Sequence, residues 1–120
     1  MTRPLGTMTC LLCLLMLLVS GCTQSGNEKS RFVGTWITQS KINPMDGSNY
    51  TDTVIFYDNG SYATTTLGIH HIYGNWSLQN GKLLIDTYYP GTYKYIFSKN
   101  STVLTLTPDS GGATEILTKQ

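Results

Sequence analysis

From Phe32 onward the chain is broken at short intervals by turn-forming residues, and that spacing restricts its fold more than any other feature. Asp58-Asn59-Gly60, Gln79-Asn80-Gly81, Pro90-Gly91 and Lys99-Asn100-Ser101 each mark a reversal, and Asn43-Pro44-Met45-Asp46-Gly47 marks a longer loop. Asn-Gly pairs supply the positive φ angles that tight hairpins demand. The intervening runs are Val33–Ser40, Thr51–Tyr57, Ser61–Thr66, His70–Leu78, Lys82–Tyr89, Thr92–Ser98, Thr102–Thr107 and Thr114–Thr118. They are rich in β-branched and aromatic residues, and no window spaces apolar residues as a helix would. Short strands joined by tight turns predict an all-β fold, a small antiparallel up-and-down meander. About eight strands close most simply into a barrel, because closure removes exposed edges.

Alternation assigns the faces of these strands. Ile72, Gly74, Trp76 and Leu78 are expected inside, with His71, Tyr73, Asn75 and Ser77 outside; Leu83 and Ile85, then Leu104 and Leu106, follow the same rule. Tyr93, Tyr95 and Phe97 share one face of their strand, so an aromatic stripe should face the core. A small barrel either fills its interior with side chains or holds one small apolar ligand. Tyr62, Trp76, Tyr93 and Tyr95 are the candidate ligand-binding residues; the competing reading makes the same aromatics a solid core, since a domain of about 100 residues has little volume to spare.

Phe32-Val33-Gly34-Thr35-Trp36, Phe56-Tyr57-Asp58-Asn59-Gly60-Ser61-Tyr62 and Gly74-Asn75-Trp76-Ser77-Leu78, followed by Leu83 and Ile85, resemble the lipocalin-like domains of small envelope lipoproteins. The resemblance extends over residues 32–120. Gly34-Thr35-Trp36 also resembles the lipocalin signature, which implies that Trp36 plugs one end of the barrel.

Upstream, Arg3 precedes the apolar run Cys10 to Val19, which has the length of a signal-peptide core and falls short of the roughly 20 residues that span a bilayer. Val19-Ser20-Gly21-Cys22 then resembles the lipobox of bacterial-type lipoproteins. That resemblance implies a signal peptide over residues 1–21, cleavage between Gly21 and Cys22, and a diacylglyceryl group on the Cys22 thiol. Small residues at Ser20 and Gly21 let a peptidase reach the backbone, and each buried acyl methylene contributes about 0.8 kcal/mol of membrane binding. Residues 22–31 would then be a lipidated cysteine and a polar, flexible tether. The expected location is the cell membrane or outer membrane, with a monomeric domain held outside the cytoplasm. Cys10 and Cys13 fall in the removed segment and Cys22 carries the lipid, so no disulfide is expected.

Few functional classes suit the remaining residues. Charged residues make up 12% of the chain and the net charge is +1, which is not the basic footprint of a nucleic-acid binder. Adjacent strand residues point to opposite faces, so His70 and His71 cannot chelate one metal ion together. Neither a Gly-x-Ser-x-Gly elbow nor a phosphate loop is present. The sequence therefore predicts a non-catalytic protein with no cofactor. Its domain would bind a small apolar ligand or another envelope component, or else be a solid barrel that serves as an interaction, inhibitor or scaffold module. In that second case the loop Asn43 to Asn49 is the first suspect.

Overall fold

The ten strands, in chain order, are β1 Gly34–Thr38, β2 Lys41–Ile42, β3 Asn49–Tyr50, β4 Thr53–Phe56, β5 Ser61–Thr66, β6 His70–Gln79, β7 Lys82–Asp86, β8 Gly91–Phe97, β9 Val103–Pro108 and β10 Glu115–Lys119. They belong to a computed structural model that describes residues 28–120. Eight of them form a closed antiparallel barrel in the order β1-β10-β9-β8-β7-β6-β5-β4, while β2 and β3 pair separately as a small hairpin. From β4 to β10 each strand pairs with the next in sequence, and β1 closes the ring by pairing with β4 on one side and β10 on the other. The predicted up-and-down meander is the observed topology.

The register follows from side-chain alternation. Trp36 lies opposite Val54 and Lys119, Trp76 opposite Ile85, Tyr95 opposite Leu106, and Phe97 opposite Leu104. The interior holds Phe32, Trp36, Phe56, Trp76, Leu83, Leu104 and Leu117, with Tyr93, Tyr95 and Phe97 packed against them, so the aromatic stripe of β8 faces inward as expected. Tyr73 and Ile96, on the opposite faces of their strands, are exposed. An apolar interior with a mainly polar exterior is the reverse of a barrel that spans a membrane. Among the described residues no helix is long and apolar enough to cross one.

Aromatic packing closes the end of the barrel where the chain enters. The Phe32 ring contacts Tyr95 at 4.9 Å and Phe97 at 4.8 Å edge-on, and Phe56 and Trp76 at 5.5 and 5.6 Å. Trp36 is fully buried beside it, its indole N–H donating to the Phe32 carbonyl at 2.8 Å. Lys119 sits with its ammonium 5.4 Å from the Trp36 ring, a cation–π lid on the plug.

Three local features differ from the sequence expectation. No helix was expected, yet residues 28–32 form one helical turn. An Arg31–Glu28 ion pair spans that turn at 3.5 Å, and its last residue, Phe32, is anchored in the core. The helical turn also takes over the final residues of the expected flexible tether. The run Lys82–Tyr89 stops being a strand at Asp86, because the Thr87 hydroxyl exchanges hydrogen bonds with the Tyr89 backbone at 3.1 Å and bends the chain away. The loop after Asn43 is not irregular throughout, since β2 and β3 clamp its base. The expected signal segment, the cleavage point at Gly21 and Cys22, and residues 22–27 of the expected tether lie outside the described residues.

Asn80 and Gly81 occupy the β6–β7 turn with φ of 53° and 74°, the pair of left-handed values that a two-residue hairpin needs. Open space surrounds the Gly81 α-carbon, so only backbone strain opposes a side chain there. Gly81→Ala should cost about 1 kcal/mol in urea unfolding with the barrel otherwise unchanged.

Candidate functional site

The opposite end of the barrel is open. Its mouth holds a cleft of about 190 Å3, floored by Val54, Ile85, Leu106 and Leu117 and walled by Tyr62 and Tyr93. Lys41, Asp52 and Glu115 ring it. Glu115 shares the inward face of β10 with Leu117, so the strand alternation aims a carboxylate into the mouth. Lys41 answers it from the base of the small hairpin, Nζ to Oε1 at 2.7 Å, and lies 3.8 Å from Asp52.

Asp52 organises this end. Its Oδ1 accepts from the Thr65 hydroxyl at 3.0 Å and from the Gly68 amide at 2.9 Å, while its own amide donates to Thr38 Oγ1 at 2.8 Å. The Thr38 amide returns a bond to the Asp52 carbonyl at 2.9 Å. Asp52 thus ties the β4 entry to the β1 exit through its backbone and to the β5–β6 turn through its buried carboxylate.

Tyr62 is buried, and desolvation pushes its phenol up to about 12 against a counteracting hydrogen bond with Thr64. Burial, and then the nearby Glu115 carboxylate, also raise Tyr93. Both hydroxyls are therefore neutral donors at ordinary pH. Gly91 makes room for the second one, since a β-carbon at Gly91 would stand 2.8 Å from the Tyr93 hydroxyl oxygen.

The raised Tyr62 value has a sign that can be tested. Its folded pKa lies above the unfolded one near 10, so its contribution is intact below about pH 10 and is lost as pH climbs towards 12. The loss is about 2 kcal/mol. Urea unfolding at pH 9 and pH 11.5 should show a steeper decline for the native chain than for Tyr62→Phe. Parallel declines in the two proteins would mean that Tyr62 ionises as freely as an exposed tyrosine.

The four candidate aromatics do not converge on one pocket. Tyr62 and Tyr93 line the open cleft. Trp76 and Tyr95 instead pack against Phe32 in the closed half, with the Trp76 indole donating to the Tyr57 carbonyl at 2.8 Å. The cleft has about the volume of six water molecules at ~30 Å3 each, below the ~300 Å3 at which ligand pockets begin. His70 and His71 are both exposed, and among the described residues no group of three or more His, Cys, Asp or Glu could hold a metal ion.

The loop Asn43 to Asn49 is compact. Asn43 Oδ1 accepts from the Met45 amide, and Asp46 Oδ1 accepts from both the amide and the hydroxyl of Ser48, which hold the Asp46 carboxyl below its usual range. Met45 projects from its tip, 87% exposed. A second, larger concavity of about 810 Å3 lies outside the barrel, over β6, β7 and β8. Neither it nor the Lys41–Asp52–Glu115 cluster was expected from the sequence, because each is assembled from separate strands.

The chain matches no protein-family model, and no curated protein is detectably similar to it in sequence.

Proposed function

We propose that the chain is a lipid-anchored envelope lipoprotein. In this reading its lipocalin-like barrel is a non-catalytic module that works through its outer surface on another envelope component, as an interaction or scaffold unit. The observation that carries the reading is the filled interior: Phe32 and the rings around it occupy one half, and only about 190 Å3 is left in the other. The proposed anchor rests on the Val19-Ser20-Gly21-Cys22 pattern, with a diacylglyceryl group on the Cys22 thiol and the chain cut between Gly21 and Cys22. It would hold the domain on the cell membrane or outer membrane, facing away from the cytoplasm.

One observation favours a second reading. Tyr62 and Tyr93 present neutral hydroxyls over an aliphatic floor, an arrangement suited to a very small, mostly apolar ligand with one polar end. Native mass spectrometry of the protein from its own membranes, released from detergent micelles, separates the two. The outward-acting reading expects the mass of residues 22–120 raised by covalent acyl groups and no further adduct. A non-covalent adduct that disappears on denaturation would transfer the function to the cleft. Tritiated palmitate should label the native chain and leave Cys22→Ala unlabelled; equal labelling would sink the anchor.

A further inference from the structure

The outer concavity over β6, β7 and β8 has the make-up of a sugar site. Its floor is the outward face of the sheet, where Ser77 pairs with Leu84 and Leu84 with Thr92. Asn75 and Gln79 stand on that same face of β6, and each side-chain amide both donates and accepts. Tyr89 and Pro90 rise on one side, in the segment that the Thr87 hydroxyl bends away from the barrel. The Tyr89 ring is 71% exposed and is steadied edge-on by Tyr88 at 4.9 Å. Asp109 stands opposite, its carboxylate joined to Lys82 at 2.7 Å.

From this arrangement we infer that the groove binds a neutral oligosaccharide. A sugar ring offers an apolar C–H face and a rim of hydroxyls that donate and accept at once. An exposed tyrosine ring and a prolyl ring match the first, while amides, hydroxyls and carboxylates side by side match the second. Charge excludes the neighbouring classes of ligand. None of the lining residues is Lys, Arg or His, and Lys82 at the margin is committed to Asp109, so an anionic ligand finds no counter-charge. A lipid or an apolar helix would strand the amides of Asn75 and Gln79 without partners, over a floor where, of the two aliphatic lining residues, Leu84 faces outward and Ile85 is buried in the core. The volume of about 810 Å3 falls in the range of ligand sites, and a floor of paired strands is rigid before binding.

This inference rests on the reading of a barrel that works through its outer surface, and supplies the chemistry of what it meets. The test uses the full chain in detergent micelles. The neutral probes are maltohexaose, cellohexaose and chitohexaose; the acidic ones are oligogalacturonate and a heparin hexasaccharide. Saturation-transfer NMR and calorimetry should detect at least one neutral probe. Tyr89→Ala and Gln79→Ala should each weaken it about ten-fold or more with an unchanged melting temperature, whereas Tyr62→Phe, in the inner cleft and outside the groove, should leave it unaltered. Binding of acidic probes alone, or binding indifferent to Tyr89→Ala, overturns the proposal. Binding lost in Tyr62→Phe instead overturns both it and the outward-acting reading. Failure of every probe, with a bare acylated mass in the native spectrum, overturns the sugar proposal and leaves the outward-acting reading standing.

Discussion

Phe32→Ala is expected to lower the stability of the barrel by about 3–5 kcal/mol, the usual cost of deleting a buried aromatic ring. For a domain of this size that corresponds to a fall of at least ~12 °C in melting temperature. The size of the effect comes from what surrounds the ring. Four aromatic side chains lie within 5.6 Å of its centroid, and Phe32 itself is fully buried. Rigid rings cannot collapse into the space left behind, so the lost contacts are not recovered. The hydrogen bond from the Trp36 indole to the Phe32 backbone carbonyl survives the substitution, so the change reports packing alone. The resulting void would be apolar and dry, and indole added to Phe32→Ala should restore part of the lost stability. A loss below about 1.5 kcal/mol, or no response to indole, would mean that the closed end is not the packed plug described above.

How far the sequence reveals this architecture depends on the range of the interactions. The aromatic face of β8 is visible in Tyr93, Tyr95 and Phe97 because alternation is a property of one strand. The β6–β7 turn is visible in Asn80-Gly81 because positive φ is a property of one residue. Leu67-Gly68 carries no comparable signal. Leucine has no preference for its observed φ of 55°, and the turn forms where Asp52, sixteen residues upstream, accepts the Gly68 amide. Nothing local to Asp52 announces that its carboxylate is buried and serves a different hairpin. Lys41 and Glu115 are 74 positions apart and meet because β1 and β10 close the barrel. The pairing of Trp76 and Tyr95 with Phe32, away from Tyr62 and Tyr93, is likewise a consequence of barrel tilt and stagger that alternation does not encode.

Asp52 also sets the second large expectation, a loss of about 2–4 kcal/mol in Asp52→Ala. The Gly68 amide and the Thr65 hydroxyl would both lose their acceptor at a site where Asp52 is only 8% exposed. The turn they hold is a strained one, because Leu67 adopts a left-handed backbone that a bulky side chain rarely takes. Without the carboxylate that strain is no longer opposed, and the open end should loosen first. Amide exchange at Gly68 should therefore accelerate more than at Trp76 in the closed half. Asp52→Asn separates hydrogen bonding from charge. Its amide oxygen can still accept from Thr65 and Gly68, and the ion pair it forfeits is the long one to Lys41, which retains Glu115 at 2.7 Å. Asp52→Asn should therefore cost under about 1 kcal/mol, the scale of a part-exposed ion pair. If Asp52→Asn proves as damaging as Asp52→Ala, charge rather than hydrogen bonding holds the mouth together. The ring of Lys41, Asp52 and Glu115 would then be one electrostatic unit instead of a turn clamp beside a separate ion pair.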